Sequence, residues 1–277
     1  MESIAIGQRL GPYRIQAVLG AGGMGIVYLA GDRRLLRRVA IKVLDPMLGD
    51  ARATRSLLRE ARVTAALVHP SICGVYEIGH VRGRPFIVME RVEGLSLAAA
   101  IPRDVGLPIE TVLHYAIQIV DGVAHAHRCG VVHGDLKSTN IMVGPRGQVK
   151  VLDFGLAVPR ARTAAGDSDT TRLREVPSAC GTVPYMAPEL LRGGGADTRS
   201  DIWALGVVLF EMASGGRPFR GATSYEVAAA ILIHRAAPLP ARVPAPVRHV
   251  VARCLSVDPE ERYASATELA AALDDIP

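Results

Sequence analysis

The stretch at residues 132–140, which reads VHGDLKSTN, places a carboxylate, an amine and a carboxamide within one short segment. Phosphoryl transfer uses these three groups together. Asp135 can accept the proton of an attacking hydroxyl, Lys137 can neutralise phosphoryl charge, and Asn140 can offer an oxygen to a metal ion. Asp, Lys and Asn are also common turn residues, so this stretch alone leaves a solvated loop as an equal alternative.

A second motif, KVLDFG at residues 150–155, favours the phosphoryl-transfer interpretation. It is a short apolar run that ends in a second carboxylate, Asp153, next to a glycine turn. Asn140 and Asp153 therefore stand at the ends of two predicted hairpin strands. Because hard oxygen ligands of this kind suit Mg²⁺, the two residues predict a metal site.

A glycine-rich segment near the N-terminus predicts a hairpin that contacts phosphate. Residues 13–19 alternate like a strand, and the alternation resumes after residues 20–25, which read GAGGMG. Glycines let backbone amides approach phosphate oxygens because no Cβ intervenes. The G-x-G-x-x-G spacing is weak evidence by itself, but here it leads into a strand and not into the helix of a dinucleotide-binding fold.

The predicted buried strand at residues 39–44, VAIKVL, carries one lysine, Lys42. Such a lysine can simply extend its amine from a sheet edge to solvent. The next predicted helix, roughly residues 52–67, carries Glu60 on the same face as Leu57 and Leu67. A glutamate on a helix is usually solvated, but this one shares a face with apolar residues, and we therefore choose Glu60 as the predicted partner of Lys42.

Together these motifs resemble those of bacterial eukaryotic-type serine/threonine protein kinases, from about Tyr13 to the C-terminus. The resemblance implies an α+β, two-lobed protein-kinase-like fold. It comprises a small β-rich N-lobe with one key helix (residues 13–90), a hinge (91–94) and a larger, mainly helical C-lobe (95–277). Residues 1–12 form an N-terminal extension in this scheme.

The resemblance also implies ATP as the nucleotide, with Mg²⁺ or alternatively Mn²⁺ as the cation. Catalytic roles fall to Asp135, Lys137, Lys42 and Glu60, and the metal ligands are Asn140 and Asp153. Met89 controls the depth of the adenine pocket. The implied ATP-binding residues are Leu19, Gly20, Ala21, Gly22, Gly23, Met24, Gly25, Val27, Ala40, Lys42, Met89, Glu90, Val92, Asn140 and Asp153.

The long segment at residues 153–189 resembles a kinase activation segment, and its end, GTVPYMAPE at residues 181–189, is the most specific of the motifs. Its hydroxyl-bearing positions are Ser168, Thr170, Thr171 and Thr182. Thr182 and Lys137 match the residue types of the Ser/Thr class. The implied function is transfer of the ATP γ-phosphoryl group to Ser or Thr hydroxyls of proteins, including autophosphorylation, in signal transduction.

One position departs from the family, because His133-Gly134-Asp135 stands where the usual motif is His-Arg-Asp. An arginine there can pair with an activation-segment phosphate, and glycine cannot. We therefore expect phosphorylation of this segment to be weakly coupled to turnover. Small-molecule phosphotransferases share the His-Gly-Asp-Leu opening but lack the segment at residues 181–189. They and a catalytically weak or dead nucleotide-binding scaffold are the alternatives.

Two further pairings follow from the resemblance. Asp201, at the start of a strongly hydrophobic helix, is expected to hold the backbone of the catalytic loop. Arg262 is expected to pair with Glu189 of the Ala-Pro-Glu motif.

A clean apolar stripe predicts a core helix over residues 109–128 that closes at Gly130.

Composition argues against a membrane-spanning protein and against a nucleic-acid-binding protein. With 277 residues, 49% of them hydrophobic, the chain can bury a sizeable core, and no apolar run approaches the ~20 residues of a membrane span. The net charge is +5, but arginines are scattered and aromatics are only 4% of residues, so no nucleic-acid partner is expected. Lysine occurs only three times, and two of the three, Lys42 and Lys137, fall in motifs that resemble the phosphate-handling sites of the family.

The four cysteines are widely spaced and lack the spacing of a zinc site or a redox dithiol. This usage and the absence of a signal-peptide pattern favour a cytoplasmic location. The chain can equally be the cytosolic domain of a longer, membrane-anchored protein. The expected partners are protein substrates and, through the N-lobe, a second copy in a homodimer, with no membrane contact within this chain.

Overall fold

The computed structural model describes residues 4–22, 25–44, 63–81, 84–154 and 182–276. Within them, the N-terminal part is rich in β-structure and the C-terminal part is mainly helical, as predicted. The lobe boundaries themselves stay a prediction. No helix in the described ranges combines the length and apolar character needed to cross a bilayer.

A six-stranded antiparallel sheet, in the order β1-β2-β3-β4-β6-β5, forms the N-terminal part. Alternating apolar residues such as Tyr13 and Ile15 point to a buried side, because successive side chains of a strand face opposite ways. The strands are β1 (Arg9–Leu10), β2 (Tyr13–Gly22), β3 (Gly25–Asp32), β4 (Arg37–Leu44), β5 (Val75–Val81) and β6 (Arg84–Glu90).

The glycine-rich segment lies at the tip of the β2–β3 hairpin, as the alternation predicted. Strand β2 runs further than the predicted end at residue 19 and continues through Gly22, which pairs with Gly25. Gly25 has φ +142°, and a Cβ there would collide with the backbone of Val43. Glycine is therefore required at this position both by conformation and by close approach.

Seven α-helices build most of the described C-terminal part. They are α1 (Leu97–Ala100), α2 (Ile109–Arg128), α3 (Pro188–Leu191), α4 (Thr198–Ser214), α5 (Ser224–Ile233), α6 (Ala245–Cys254) and α7 (Ala266–Asp274). Short 3₁₀ turns lie at Ser138–Asn140, Val183–Tyr185 and Pro259–Glu261. Helix α2 has the predicted bounds and is followed by Gly130 at φ +74°.

Helix α4 runs through the middle of this part and is buried along most of its length. Its N-terminus is capped by Asp197 and Ser200, whose side chains each accept a hydrogen bond from the other's backbone amide. Helix α7 begins after Ser265, whose side chain accepts a hydrogen bond from the Glu268 amide. The Glu268 carboxylate in turn accepts from the Ala264 amide.

A small sheet of β7 (Leu95–Ser96), β8 (Ile141–Val143) and β9 (Val149–Val151) carries the predicted metal ligands at its ends. The segment before β5 joins this sheet to the N-terminal part. The Cys73 amide donates to the Val151 carbonyl at 2.9 Å, and the Val151 amide donates to the Ser71 carbonyl at 2.8 Å. These bonds fix where β9, and thus Asp153, lies relative to the first sheet.

Candidate active site

Three side chains from two separate segments meet at the catalytic-loop motif. Lys137 Nζ donates to Asp135 Oδ2 at 2.7 Å and to Thr182 Oγ1 at 3.0 Å. The other carboxylate oxygen of Asp135, Oδ1, is buried, and no described residue donates a hydrogen bond to it. A buried acceptor without a donor is costly, so this oxygen can accept a hydrogen bond from a group that the described residues do not supply.

Asp201 of α4 holds the loop that carries Asp135. Its carboxylate accepts hydrogen bonds from the backbone amides of His133 at 2.7 Å and Gly134 at 2.9 Å, and it lies 2.8 Å from His127 Nε2. The side chain of Asp201 is almost fully buried. Charge-assisted bonds to backbone amides are strong, and they agree with the role that the resemblance implied.

Gly134 is the departure from the usual motif, and its backbone is in the left-handed region with φ +73°. Its amide must face Asp201 for the anchor described above. Glycine adopts this conformation without steric cost, whereas an arginine would be strained there. The substitution therefore relieves backbone strain as well as removing a guanidinium group.

Lys42 of β4 lies in register with Val27 on one side and Ile87 on the other, so it is buried in the sheet. Its amine contacts Asp153 Oδ2 at 2.8 Å. A buried amine needs such a partner because desolvation of an unpaired charge is expensive. Glu60, the predicted partner, lies outside the described residues, so the Lys42–Glu60 pair stays a prediction.

Asn140 and Asp153 have the free oxygens that a divalent cation needs. The Asn140 amide nitrogen donates to the Asp135 carbonyl at 2.9 Å, which leaves its Oδ1 as the open atom. The Leu152 amide donates to the Asn140 carbonyl at 2.8 Å and so brings the two ligand candidates together. No group of three or more His, Cys, Asp or Glu side chains that could hold a metal ion occurs among the described residues. Such a partial ligand set fits Mg²⁺, which keeps water and phosphate ligands.

An apolar cluster gathers four of the predicted adenine-site residues. Val27, Ala40, Met89 and Val92 belong to it, on three strands and the segment after β6. Leu152 and Cys73 also belong to the cluster and were not predicted. The signal for Leu152 was its place directly before Asp153.

All three lysines of the chain pair with carboxylates at this site. Lys150, to which the sequence assigned no role, contacts Glu90 Oε2 at 2.8 Å and the Ile72 carbonyl at 3.2 Å. Glu90 Oε2 also accepts from the Gly74 amide at 3.3 Å. The pair thus ties β9 to the end of β6, next to the predicted hinge.

Tyr185, a further residue that the sequence did not single out, joins the catalytic loop to the segment at 182–189. Its hydroxyl lies 2.8 Å from Ser138 Oγ and donates to Glu211 Oε2 at 2.6 Å. Burial raises the pKa of the Tyr185 phenol, and the Glu211 carboxylate raises it further. The phenol therefore stays neutral and keeps both hydrogen bonds.

The remaining predicted residues fall into two groups, those that the structure describes and those that lie outside the described residues. Gly20, Ala21, Gly22 and Gly25 are in the hairpin, with open space around Gly20 and Gly22, and Leu19 is exposed. Thr182 is described, as above. The predicted residues that lie outside the described part of the chain are Gly23, Met24, Glu60, Ser168, Thr170 and Thr171.

The chain was also compared with known proteins. The family model described as protein kinase domain matches residues 13–272. Serine/threonine-protein kinase PrkC of Bacillus subtilis is 38% identical over 96% of this chain and 41% of its own length. Serine/threonine-protein kinase PknB of Mycobacterium leprae is 36% identical over 94% of this chain and 42% of its own length.

Serine/threonine-protein kinase PknL of Mycobacterium tuberculosis is 35% identical over the whole of this chain and 67% of its own length. The chain spans about two fifths of the length of PrkC and PknB. The match of the family model over almost all residues agrees with the fold and with the grouping of motifs described above. The chain belongs to the protein kinase domain family.

Proposed function

We propose that this chain is the catalytic domain of a serine/threonine protein kinase. The observation that carries the proposal is the group of Asp135, Lys137 and Thr182, with Asp135 Oδ1 buried and unbonded among the described residues. A carboxylate held by an amine on one oxygen presents the other to a substrate hydroxyl. The relatives named as serine/threonine-protein kinases support this assignment.

In the proposed reaction, the hydroxyl oxygen of a Ser or Thr attacks the γ-phosphorus of ATP. The bond between that phosphorus and the bridging oxygen of ADP breaks, and the hydroxyl proton passes to Asp135. Lys137 offsets charge on the phosphoryl oxygens, and Thr182 positions the Lys137 amine. We assign the α- and β-phosphates to Lys42, which pairs with Asp153.

Asn140 and Asp153 are the residues that would hold the divalent cation. When bound, Mg²⁺ neutralises phosphate charge, and Mn²⁺ is an alternative with the same ligand preference. The apolar cluster of Val27, Ala40 and Met89 would enclose the adenine, with the backbone of Glu90 and Val92 at its edge. These assignments rest on the positions of free donor and acceptor groups in the described residues.

Protein substrates are proposed because the segment ending at residue 189 packs against the catalytic loop through Tyr185. Such a segment offers a surface for a polypeptide. We place the reaction in the cytoplasm, where ATP is available and free thiols such as Cys129 persist. Autophosphorylation and a homodimer through the N-lobe remain part of the proposal.

Labelled ATP, a generic protein substrate and two variants test this function. Asp135→Asn should lower turnover on the order of 10²-fold or more while Mg²⁺·ATP affinity stays nearly intact. Asp153→Asn should lower both turnover and that affinity, because it removes a proposed cation ligand. Asp274→Asn, an exposed aspartate at the end of α7, is the control and should change neither.

Phosphoamino-acid analysis of the labelled substrate should show phosphoserine or phosphothreonine. Full activity of the Asp135→Asn protein would contradict the assignment of the base. Label found only in phosphotyrosine, or only in a small-molecule acceptor, would contradict the proposed substrate class.

A further inference from the structure

The solvent side of the N-terminal sheet carries a cleft of about 410 Å³ lined by arginines. We call it the arginine cleft and define it by Arg9, Arg14, Arg33, Arg37 and Arg38. It lies at the opposite end of the β3–β4 pair from the glycine hairpin, since Asp32 pairs with Arg37 there and Gly25 pairs with Leu44 at the other end. The active site therefore does not include it.

Strand register brings three of these arginines into one row. Arg9 is opposite Arg14, Arg14 is opposite Gly31, and Gly31 is opposite Arg38, so the row crosses four strands. Like charges directly opposite each other destabilise a sheet. Gly31 has no side chain, and the Gln16 side chain lies over it, since a Cβ there would come within 2.9 Å of Gln16 Nε2. The row is thus a cationic surface with the neutral Gln16 amide in its middle.

The cleft has an excess of positive charge that the described residues do not neutralise. Arg9, Arg14, Arg33 and Arg38 are exposed, and none forms an ion pair within the described ranges. The acid that lines the cleft, Asp32, is buried. It accepts hydrogen bonds from the backbone amides that follow it and lies 3.8 Å from the Arg37 guanidinium.

One apolar side chain stands beside these charges. Leu36 lines the cleft, is 90% exposed and has φ +49°, a conformation that costs free energy for a leucine. An exposed leucine in a strained turn next to unpaired arginines is unfavourable for the free protein. It is favourable if a ligand covers it with an apolar group while its anionic group meets the guanidinium groups.

We propose that the arginine cleft binds a phosphorylated, acidic protein segment that carries an apolar residue near its phosphate. Guanidinium groups bind phosphate through two parallel hydrogen bonds, and the bond is strong because both partners are charged. The proposal goes beyond the proposed kinase activity and requires no catalysis by this chain.

Two other occupants fit less well. Single-stranded nucleic acid needs exposed aromatic rings for base stacking. The described ring beside the cleft, Tyr76, is covered on one face by the Arg37 guanidinium at 3.8 Å. A second copy of this chain docked symmetrically on the same face would bring two sets of unpaired arginines together. A homodimer through the N-lobe would therefore have to use another face.

Fluorescence anisotropy can test the proposal without ATP. The probe is a labelled ten-residue peptide with one phosphoserine, a neighbouring leucine and flanking aspartates. The protein is Asp135→Asn, so that failure of the kinase proposal does not affect the result. We expect the phosphopeptide to bind at least tenfold more tightly than its unphosphorylated form, and its affinity to fall with added salt because exposed charges are screened.

Arg14→Glu/Arg38→Glu should weaken the binding at least tenfold, and Arg14→Gln/Arg38→Gln should weaken it by less. The matched control is Arg128→Glu/Arg235→Glu, which makes the same charge change at exposed arginines elsewhere and should bind like the parent. Thermal melts monitored by circular dichroism confirm folding of each variant. Leu36→Ser should lower the affinity for the phosphopeptide. It should leave the affinity for inorganic phosphate, measured by competition, unchanged.

Equal binding by the cleft and control variants would overturn the site. Equal affinity for the phosphorylated and unphosphorylated peptides would overturn the requirement for phosphate. A ten-nucleotide single strand that binds more tightly than the phosphopeptide would replace the proposed ligand by nucleic acid. Dimerisation of the parent that is lost in Arg14→Glu/Arg38→Glu would assign the face to a second copy instead.

Discussion

At the scale of single residues, burial separates the three described cysteines. Cys254 lies fully buried between α4 and α6, Cys73 is buried in the adenine-site cluster, and Cys129 is exposed at the end of α2. Burial raises the pKa of the Cys73 and Cys254 thiols to about 12. Because the thiolate is the reactive form, these two thiols are inert while the protein is folded.

We predict that iodoacetamide at pH 8.5 modifies Cys129 in the native protein and spares Cys73 and Cys254. The raised pKa also affects stability. The thiol protons of Cys73 and Cys254 are lost near pH ~8.5 in the unfolded chain and near 12 in the folded chain. The contribution of these two thiols to the free energy of unfolding is therefore fully present below pH ~8.5 and is lost as pH rises toward 12. Peptide mapping by mass spectrometry measures the labelling. Modification of Cys254 at the rate of Cys129 would contradict the burial, and unfolded protein, in which all react, is the control.

At the scale of elements, the crossing of α4 and α6 depends on a glycine. A Cβ at Gly206 of α4 would come within 2.6 Å of Cys254 Cβ and 3.1 Å of Leu255 Cδ2. Alanine favours a helix by ~1 kcal/mol over glycine, but overpacking a core costs ~1–3 kcal/mol. The two effects oppose each other, and the contact distance decides between them.

Gly206→Ala should therefore lower the free energy of unfolding by up to ~2 kcal/mol, measured by chemical denaturation. Gly195→Ala is the matched control, since Gly195 has open space around it and no positive φ, and it should be neutral or slightly stabilising. An increase in stability for Gly206→Ala would show that the two helices can move apart at little cost.

At the scale of the whole molecule, Arg262 connects segments that are far apart in the chain. It forms two hydrogen bonds to the Glu189 carboxylate at 2.7 and 2.9 Å and donates to the carbonyls of Arg199 and Ser256. Its side chain is fully buried and lies over the Trp203 ring. It thus holds Glu189, at the start of α3, against α4 and the turn before α7.

We expect Arg262→Met to lower the free energy of unfolding by ~3–5 kcal/mol, because it leaves the carboxylate and the buried carbonyls without their donor. Arg253→Met, which removes the exposed pair of Arg253 with Glu268, should cost at most ~1 kcal/mol. Denaturant titration of both variants measures the difference. Similar losses for the two would mean that the buried pair is replaceable by an apolar side chain.

The sequence by itself determined the features that depend on local pattern. Helix α2 has the bounds that its apolar stripe and Gly130 predicted, and the β2–β3 hairpin follows from alternation and glycine. Asp135, Asn140 and Asp153 could be chosen because the chemistry needs particular groups at short spacing. Side-chain periodicity and turn preference act over a few residues, so they can be identified from the sequence alone.

Tertiary structure alone decided which distant residues became neighbours. Lys150 and Glu90 are 60 positions apart, and nothing local indicates that they pair. The arginine row exists because strand register sets Arg9 opposite Arg14 and places Gly31 between Arg14 and Arg38. A shift of one residue in register would have turned those side chains to the other face. Register and helix crossing are set by the packing of the entire core, which is why these contacts could not be found from the order of residues.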